Sequence, residues 1–145
     1  MKKIIIIAVM FLGFTISANA QKKIEVTELP KPAQDFLKKH FSNREIDVVK
    51  KDAEHGEKGY EVKLKDETEI EFWKDGSYRE VDGGKKPIPT AFIPASVKDY
   101  VSKNHPNEKI IHIDYGHKDL DVDLTNNIDL EFTKEGKILK DKKDK

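Results

Sequence analysis

The sequence predicts an α+β protein: two tandem α-β-β-β-β repeats forming an antiparallel sheet with the helices on one face. Three observations predict it. The chain repeats itself in two ordered blocks, each copy opens with helical apolar spacing, and each continues in segments that alternate apolar with charged residues. The first block sets Leu29-Pro30, Ala33, Phe36 and Leu37 against Ile93-Pro94, Val97, Tyr100 and Val101. The second sets Tyr60-Glu61-Val62-Lys63-Leu64 against Leu120-Asp121-Val122-Asp123-Leu124, and Glu71-Phe72-Trp73-Lys74-Asp75-Gly76 against Glu131-Phe132-Thr133-Lys134-Glu135-Gly136. The blocks stand closer together in the second copy. That is a loop deletion, the change a fold tolerates most readily.

Residues 1–20 precede the repeats. Lys2 and Lys3, the apolar run 4–16 and the small residues Ala18-Asn19-Ala20 match a secretory signal peptide cut after Ala20. The run is shorter than the roughly 20 residues a spanning helix needs, so no stable membrane insertion is expected after cleavage. No cysteine follows it to carry a lipid. The expected location is periplasmic or secreted.

Each copy then starts with a short helix that has Pro in its first turn, where a missing N–H costs nothing. Ala33, Phe36, Leu37 and Phe41 mark the buried face in copy one; Val97, Tyr100 and Val101 mark it in copy two, and Pro106 stops the second helix. Residues 46–51 and 110–115 are short and rich in β-branched residues. Tyr60, Val62 and Leu64 alternate with charges, as do Leu120, Val122 and Leu124, the period of a strand buried on one side. Turns at Asp66-Glu67 and Asn126-Asn127 lead to strands with Ile70 and Phe72, or Ile128, Leu130 and Phe132, facing inward. Asp75-Gly76 and Glu135-Gly136 turn the chain into fourth strands at 77–81 and 137–139. The predicted units are therefore a first repeat at 21–82, a linker at 83–90 carrying Gly83-Gly84, Pro87 and Pro89, a second repeat at 91–139, and a disordered charged tail at 140–145. One copy alone buries too little surface to be comfortable, so the two sheets are expected to join or to pack side by side, leaving one charged face open to water.

These residues resemble a known family. The Leu-Pro helix start, the alternating strand, the Glu-Phe-x-Lys-(Asp/Glu)-Gly turn and the tandem arrangement are similar to the PepSY-like family of exported Bacteroidetes proteins, related in fold to the β-lactamase inhibitor protein. The resemblance covers nearly the whole chain after residue 20. It implies a fold that serves enzyme inhibitors, which bind through the exposed sheet face, and propeptide-type domains. It carries over no functional residue, because the shared motif is turn and core.

Composition narrows the chemistry. The 145 residues hold 27 Lys+Arg against 27 Asp+Glu and no cysteine. Disulfide scaffolds, cysteine nucleophiles, Cys-ligated zinc and iron–sulfur sites are excluded. Balanced charge speaks against nucleic acid. No nucleotide, hydrolase or metalloprotease motif occurs. His40, His55, His105, His112 and His117 are scattered without ligand spacing and are read as solvent-facing. No catalytic residue, metal ligand or cofactor is expected.

Two surface features remain. Trp73, the single tryptophan, shares the outward side of its strand with Glu69 and Glu71, and Tyr78 stands across the turn. Copy two has Thr133 and Ile138 there, so the aromatics are expected to mark contact with a protein or peptide partner. Asp119, Asp121 and Asp123 fall every second residue on one strand face, and Asp129 and Glu131 share that parity on the next. The expected function is an exported, non-enzymatic binding module that engages a protein or peptide through the open sheet face, an inhibitor-like role being what the family resemblance implies; the alternative is a cation-binding or envelope-buffering protein using the acidic face.

Overall fold

The computed structural model describes residues 21–52 and 58–143. The predicted signal peptide at 1–20, His55 and the last two residues of the predicted tail lie outside the described residues. The strands are β1 (Gln21–Ile24), β2 (Ile46–Asp52), β3 (Lys58–Leu64), β4 (Glu69–Trp73), β5 (Tyr78–Asp82), β6 (Ile110–Tyr115), β7 (Asp119–Leu124), β8 (Ile128–Thr133) and β9 (Ile138–Lys143). They form one antiparallel sheet in which every strand neighbours its successor, from β1 at one edge to β9 at the other. Helix α1 (Lys31–His40) follows β1, and α2 (Ala95–Asn104) lies between β5 and β6. The α+β class and the tandem α-β-β-β-β order are as the sequence predicts.

Both helices bury the stripe that spacing marks: Ala33 and Leu37 in α1, Val97 and Val101 in α2. Equivalent rings then meet in each copy. Phe36 packs edge-on against Phe72 at 5.7 Å, and Tyr100 edge-on against Phe132 at 5.5 Å. Phe72 and Phe132 have no exposed surface, nor do Val62, Ile70, Val81, Ile113, Leu120 and Val122. The alternating strands thus put one face into the helix layer and leave the other uncovered.

The repeated glycines have one shared cause. Gly76 and Gly136 adopt φ of 86° and 85°, where a side chain is strained. Each also tucks its turn beneath the start of its own helix. A Cβ on Gly76 would sit 2.8 Å from Pro30 Cβ, and one on Gly136 would sit 2.8 Å from Ser96 Cβ. The Pro-led helix start and the Asp/Glu-Gly turn recur together because they pack on each other.

Three segments depart from the sequence reading. Residues 21–24 form β1, which pairs with β2 from Gln21↔Asp52 to Ile24↔Val49. The predicted linker is packed: Gly83 and Ile88 donate N–H bonds to Ile111 O (2.8 Å) and Ile110 O (3.0 Å), and the Ile88 side chain is 5% exposed. Ile88 precedes α2 as Ile24 precedes α1. In copy two, however, β5 already occupies the edge of β6 that β1 takes on β2. The predicted disordered tail is ordered as far as Lys143, within β9. Its anchors are polar. Asp141 accepts a bond from Tyr100 Oη at 2.8 Å and pairs with His105 Nε2 at 2.7 Å, so apolar residues were not needed to hold it.

Candidate functional site

The uncovered face carries its charges in rows that run across the strands. One row reads Lys23, Lys50, Glu61, Glu71, Glu80, Asp114, Asp121, Glu131 and Lys140 from β1 to β9. Six consecutive carboxylates are bracketed by lysines. A parallel row reads Lys63, Glu69, Asp82, His112, Asp123, Asp129 and Lys142. Neighbouring strands are about 4.8 Å apart, so adjacent carboxylates repel by roughly 1 kcal/mol even in water.

Two cations inside the rows offset this. Arg79 is 14% exposed and donates to Glu71, to Glu80 (3.0 Å) and to Asp114 (3.1 Å). His112 places Nε2 2.9 Å from Glu80 and Nδ1 2.9 Å from Asp123. Burial works against its proton, but the hydrogen bonds and charges of Asp123 and Glu80 prevail and push its pKa up to about 10. The imidazolium is therefore a fixed cation at neutral pH, not a solvent-facing titrating ring. Arg79 of copy one reaches Asp114 of copy two, and His112 of copy two reaches Glu80 of copy one. These reciprocal bonds cross the short β5–β6 seam, where only Glu80↔Asp114, Val81↔Ile113 and Asp82↔His112 are in register.

The five acids read from the sequence do share this face. Asp121 stands opposite Glu131 and Asp123 opposite Asp129, while Asp119 stands opposite Thr133. Partial desolvation pushes the Asp121 carboxyl up, and Asp119, Glu131, Asp114 and Asp123 push it further. Among the described residues, no three carboxylate or imidazole groups converge closely enough to hold a metal ion.

Glu69 and Glu71 also lie on this face, Glu69 pairing with Lys63 at 3.3 Å. Trp73 ends their strand, half-buried, with the Arg79 guanidinium 5.5 Å from its ring centre and the His117 ring at 6.0 Å. Tyr78 is not on the face that carries Glu69 and Glu71. A β-bulge opposite Glu71/Phe72 makes Arg79 the extra residue, so Tyr78 pairs with Phe72 on the helix side. There it stacks on Phe36 at 4.8 Å, meets Phe92 and Tyr115, and donates its hydroxyl to Phe92 O at 3.2 Å. Burial and the Tyr115 hydroxyl push its ionisation up, out of reach of neutral pH.

At the end of the sheet the turns of both copies border an open cleft of about 740 Å³ lined by Trp73, Lys74, Asp75, Ser77, Tyr78, Tyr115, Gly116, His117 and Lys134. The β4–β5 turn and the β6–β7 connection supply most of it. Trp73 and Tyr78 thus meet at this cleft, approaching from opposite faces.

Sequence reading missed Arg79 and His112. A usable signal existed for Arg79: the chain has two arginines among many lysines, and a guanidinium is the side chain that serves several carboxylates at once. His112 had none, because its partners Glu80 and Asp123 sit on two other strands, brought to either side of it only by folding.

The family model described as "Putative beta-lactamase-inhibitor-like, PepSY-like" matches the chain twice, over residues 15–70 and 58–140. Among solved structures, a Bacteroides thetaiotaomicron protein described as a "putative calcium-regulated periplasmic protein" is 34% identical, with a TM-score of 0.80 over 84% of this chain and 96% of that one. A Bacteroides vulgatus protein described as a "putative periplasmic protein from DUF2874 family" is 30% identical, with a TM-score of 0.81 over 86% of this chain and 98% of that one. A second Bacteroides vulgatus periplasmic protein, described as of unknown function, is 29% identical, with a TM-score of 0.77 over 84% and 98%. No curated protein matches the chain. No helix among the described residues is long and apolar enough to cross a membrane. With two overlapping family matches that together cover residues 15–140 and one sheet built from both copies, the chain belongs to the PepSY-like, β-lactamase-inhibitor-like family.

Proposed function

We propose that this protein is an exported, non-enzymatic binding module of the periplasm that engages a protein or peptide through its open sheet face. The observation that carries the reading is the uncovered face itself, with its row of six carboxylates bracketed by lysines. Arg79 and His112 hold that face rigid and neutralise part of it, so the site is formed before a partner arrives. The partner this chemistry fits presents basic side chains, and its capture weakens with salt. Trp73, at the end of the face, supplies the aromatic contact beside Glu69 and Glu71. Pull-down from periplasmic extract tests the reading. Capture should be lost on reversing Asp121 and Glu131 to lysine and reduced by Trp73→Ala, with stability changed by less than about 1.5 kcal/mol for the latter. A specific partner retained undiminished by the charge reversal sinks it.

Cation binding on the same face is the second reading, favoured by the description of the 34%-identical relative as calcium-regulated and by the raised Asp121 carboxyl, which marks concentrated negative potential. Calorimetry with calcium decides it: saturable heat that disappears in Asp121→Asn supports the reading, and a flat titration removes it.

A further inference from the structure

The cleft at the seam carries chemistry that the acidic face does not. Its lining includes three aromatic residues, Trp73, Tyr78 and Tyr115, and two exposed lysines, Lys74 and Lys134. The one carboxylate in the lining, Asp75, is turned into its own loop, accepting bonds from Ser77 N at 2.9 Å and Ser77 Oγ at 2.6 Å, which hold its pKa low.

The duplication provides an internal control for what the fold requires here. Copy two makes the same turn with Thr133 in place of Trp73 and Ile138 in place of Tyr78, and copy one has Lys51 where copy two has Tyr115. Neither turn nor strand end needs these rings. They are gathered only where the two copies meet, in a cleft whose size falls in the range of small-molecule sites.

We propose that this cleft binds a small planar aromatic carboxylate, its ring against Trp73, Tyr78 and Tyr115 and its carboxylate at Lys74 and Lys134. Aromatic walls select a flat ring, and the two ammonium groups select an anion. A small ligand suits the cleft because Glu71, within the acidic row, lies only two residues from Trp73. A ring with one carboxylate meets the two lysines of the lining without reaching that row. The inference shares Trp73 with the sheet-face reading, and reversing Asp121 and Glu131, which are not in the cleft lining, tells the two apart.

Calorimetry on the full folded protein tests it, with naphthoate as probe and naphthylmethylamine and naphthalenemethanol as cationic and neutral matches. Naphthoate should bind saturably with submillimolar affinity and perturb the emission of Trp73, the single tryptophan. The amine and the alcohol should bind at least about tenfold more weakly. The exposed double variant Lys74→Gln/Lys134→Gln should lose a similar factor while its circular dichroism stays that of wild type. Trp73→Thr, which restores the residue of copy two, should abolish binding. No saturable heat from naphthoate, equal binding of the amine, or wild-type affinity in the lysine double variant each overturns the proposal.

Discussion

His112 is a residue whose proton belongs to the fold. Its pKa is raised to about 10 by Asp123 and Glu80 against the opposing effect of burial. The unfolded imidazole titrates near 6.5. A folded pKa above the unfolded one means stability that is fully present below about pH 6.5 and is lost as pH climbs towards 10. Denaturant melts from pH 6 to 10 should therefore show wild type losing stability, with the slope flattened in His112→Gln. At pH 6 that substitution should cost roughly 2–3 kcal/mol, because it strands two carboxylates in an acidic row. An unchanged slope would mean that the two contacts do not hold the proton. Asp121 has the opposite sign. Its carboxyl is pushed up by partial desolvation and four neighbouring acids, so its charge at neutral pH opposes folding. Asp121→Asn should raise stability by up to about 1 kcal/mol. The gain should fade in high salt and on acidification, when wild type takes up the proton for itself. Equilibrium melts at two salt concentrations check both.

The helix-on-sheet contact is the energetic unit at the scale of elements. Phe36 on α1 meets Phe72 on β4, and Tyr100 on α2 meets Phe132 on β8, in nearly the same perpendicular geometry. Both phenylalanines are fully buried. Phe72→Ala and Phe132→Ala should each cost roughly 3–5 kcal/mol, the transfer loss plus the cavity left behind. Glu61→Ala, on the open face of β3, should stay within about 0.5 kcal/mol. Midpoints of urea melts distinguish these, and a wild-type midpoint for either phenylalanine variant would contradict the packing. The bulge on the last strand of each copy shows how context assigns a role. Arg79 and its counterpart Leu139 are both extra residues opposite a Glu-Phe pair. Arg79 has β6 beside it and holds three carboxylates. Leu139 is on the edge strand and is 56% exposed.

For the whole molecule, the question is whether two copies behave as one. The β5–β6 seam has three registered pairs, fewer than any other junction between consecutive strands. It is nevertheless crossed by Val81 and Ile113, both fully buried, and by the Arg79 and His112 ion pairs. A single copy is of a size at which a domain is marginal alone. Unfolding should therefore be one transition: Trp73 fluorescence, which reports the seam from copy one, and far-ultraviolet circular dichroism, which reports every strand, should share a midpoint. A fluorescence transition that precedes the dichroism would show the copies separating first.

The amino-acid pattern alone determined the repeat, the helix and strand order, the inward positions of Phe72 and Phe132, and the common face of Asp121, Asp123, Asp129 and Glu131. Those are consequences of period and local turn chemistry, and both are written along the chain. Tertiary structure decided what depends on neighbours distant in sequence. The bulge moved Tyr78 to the helix side, since one inserted residue reverses every side chain beyond it. The charged segment after residue 139 became an ordered edge strand because Glu131 and Asp129 lie opposite its lysines and Tyr100 and His105 hold Asp141. β1 formed because β2 had a vacant edge, and the segment before α2 did not form a strand because β5 had filled the equivalent one. His112 became a lasting cation only when Glu80 and Asp123, on strands either side of it, were brought within 2.9 Å. Electrostatic energy depends on distance in space, and only folding sets that distance.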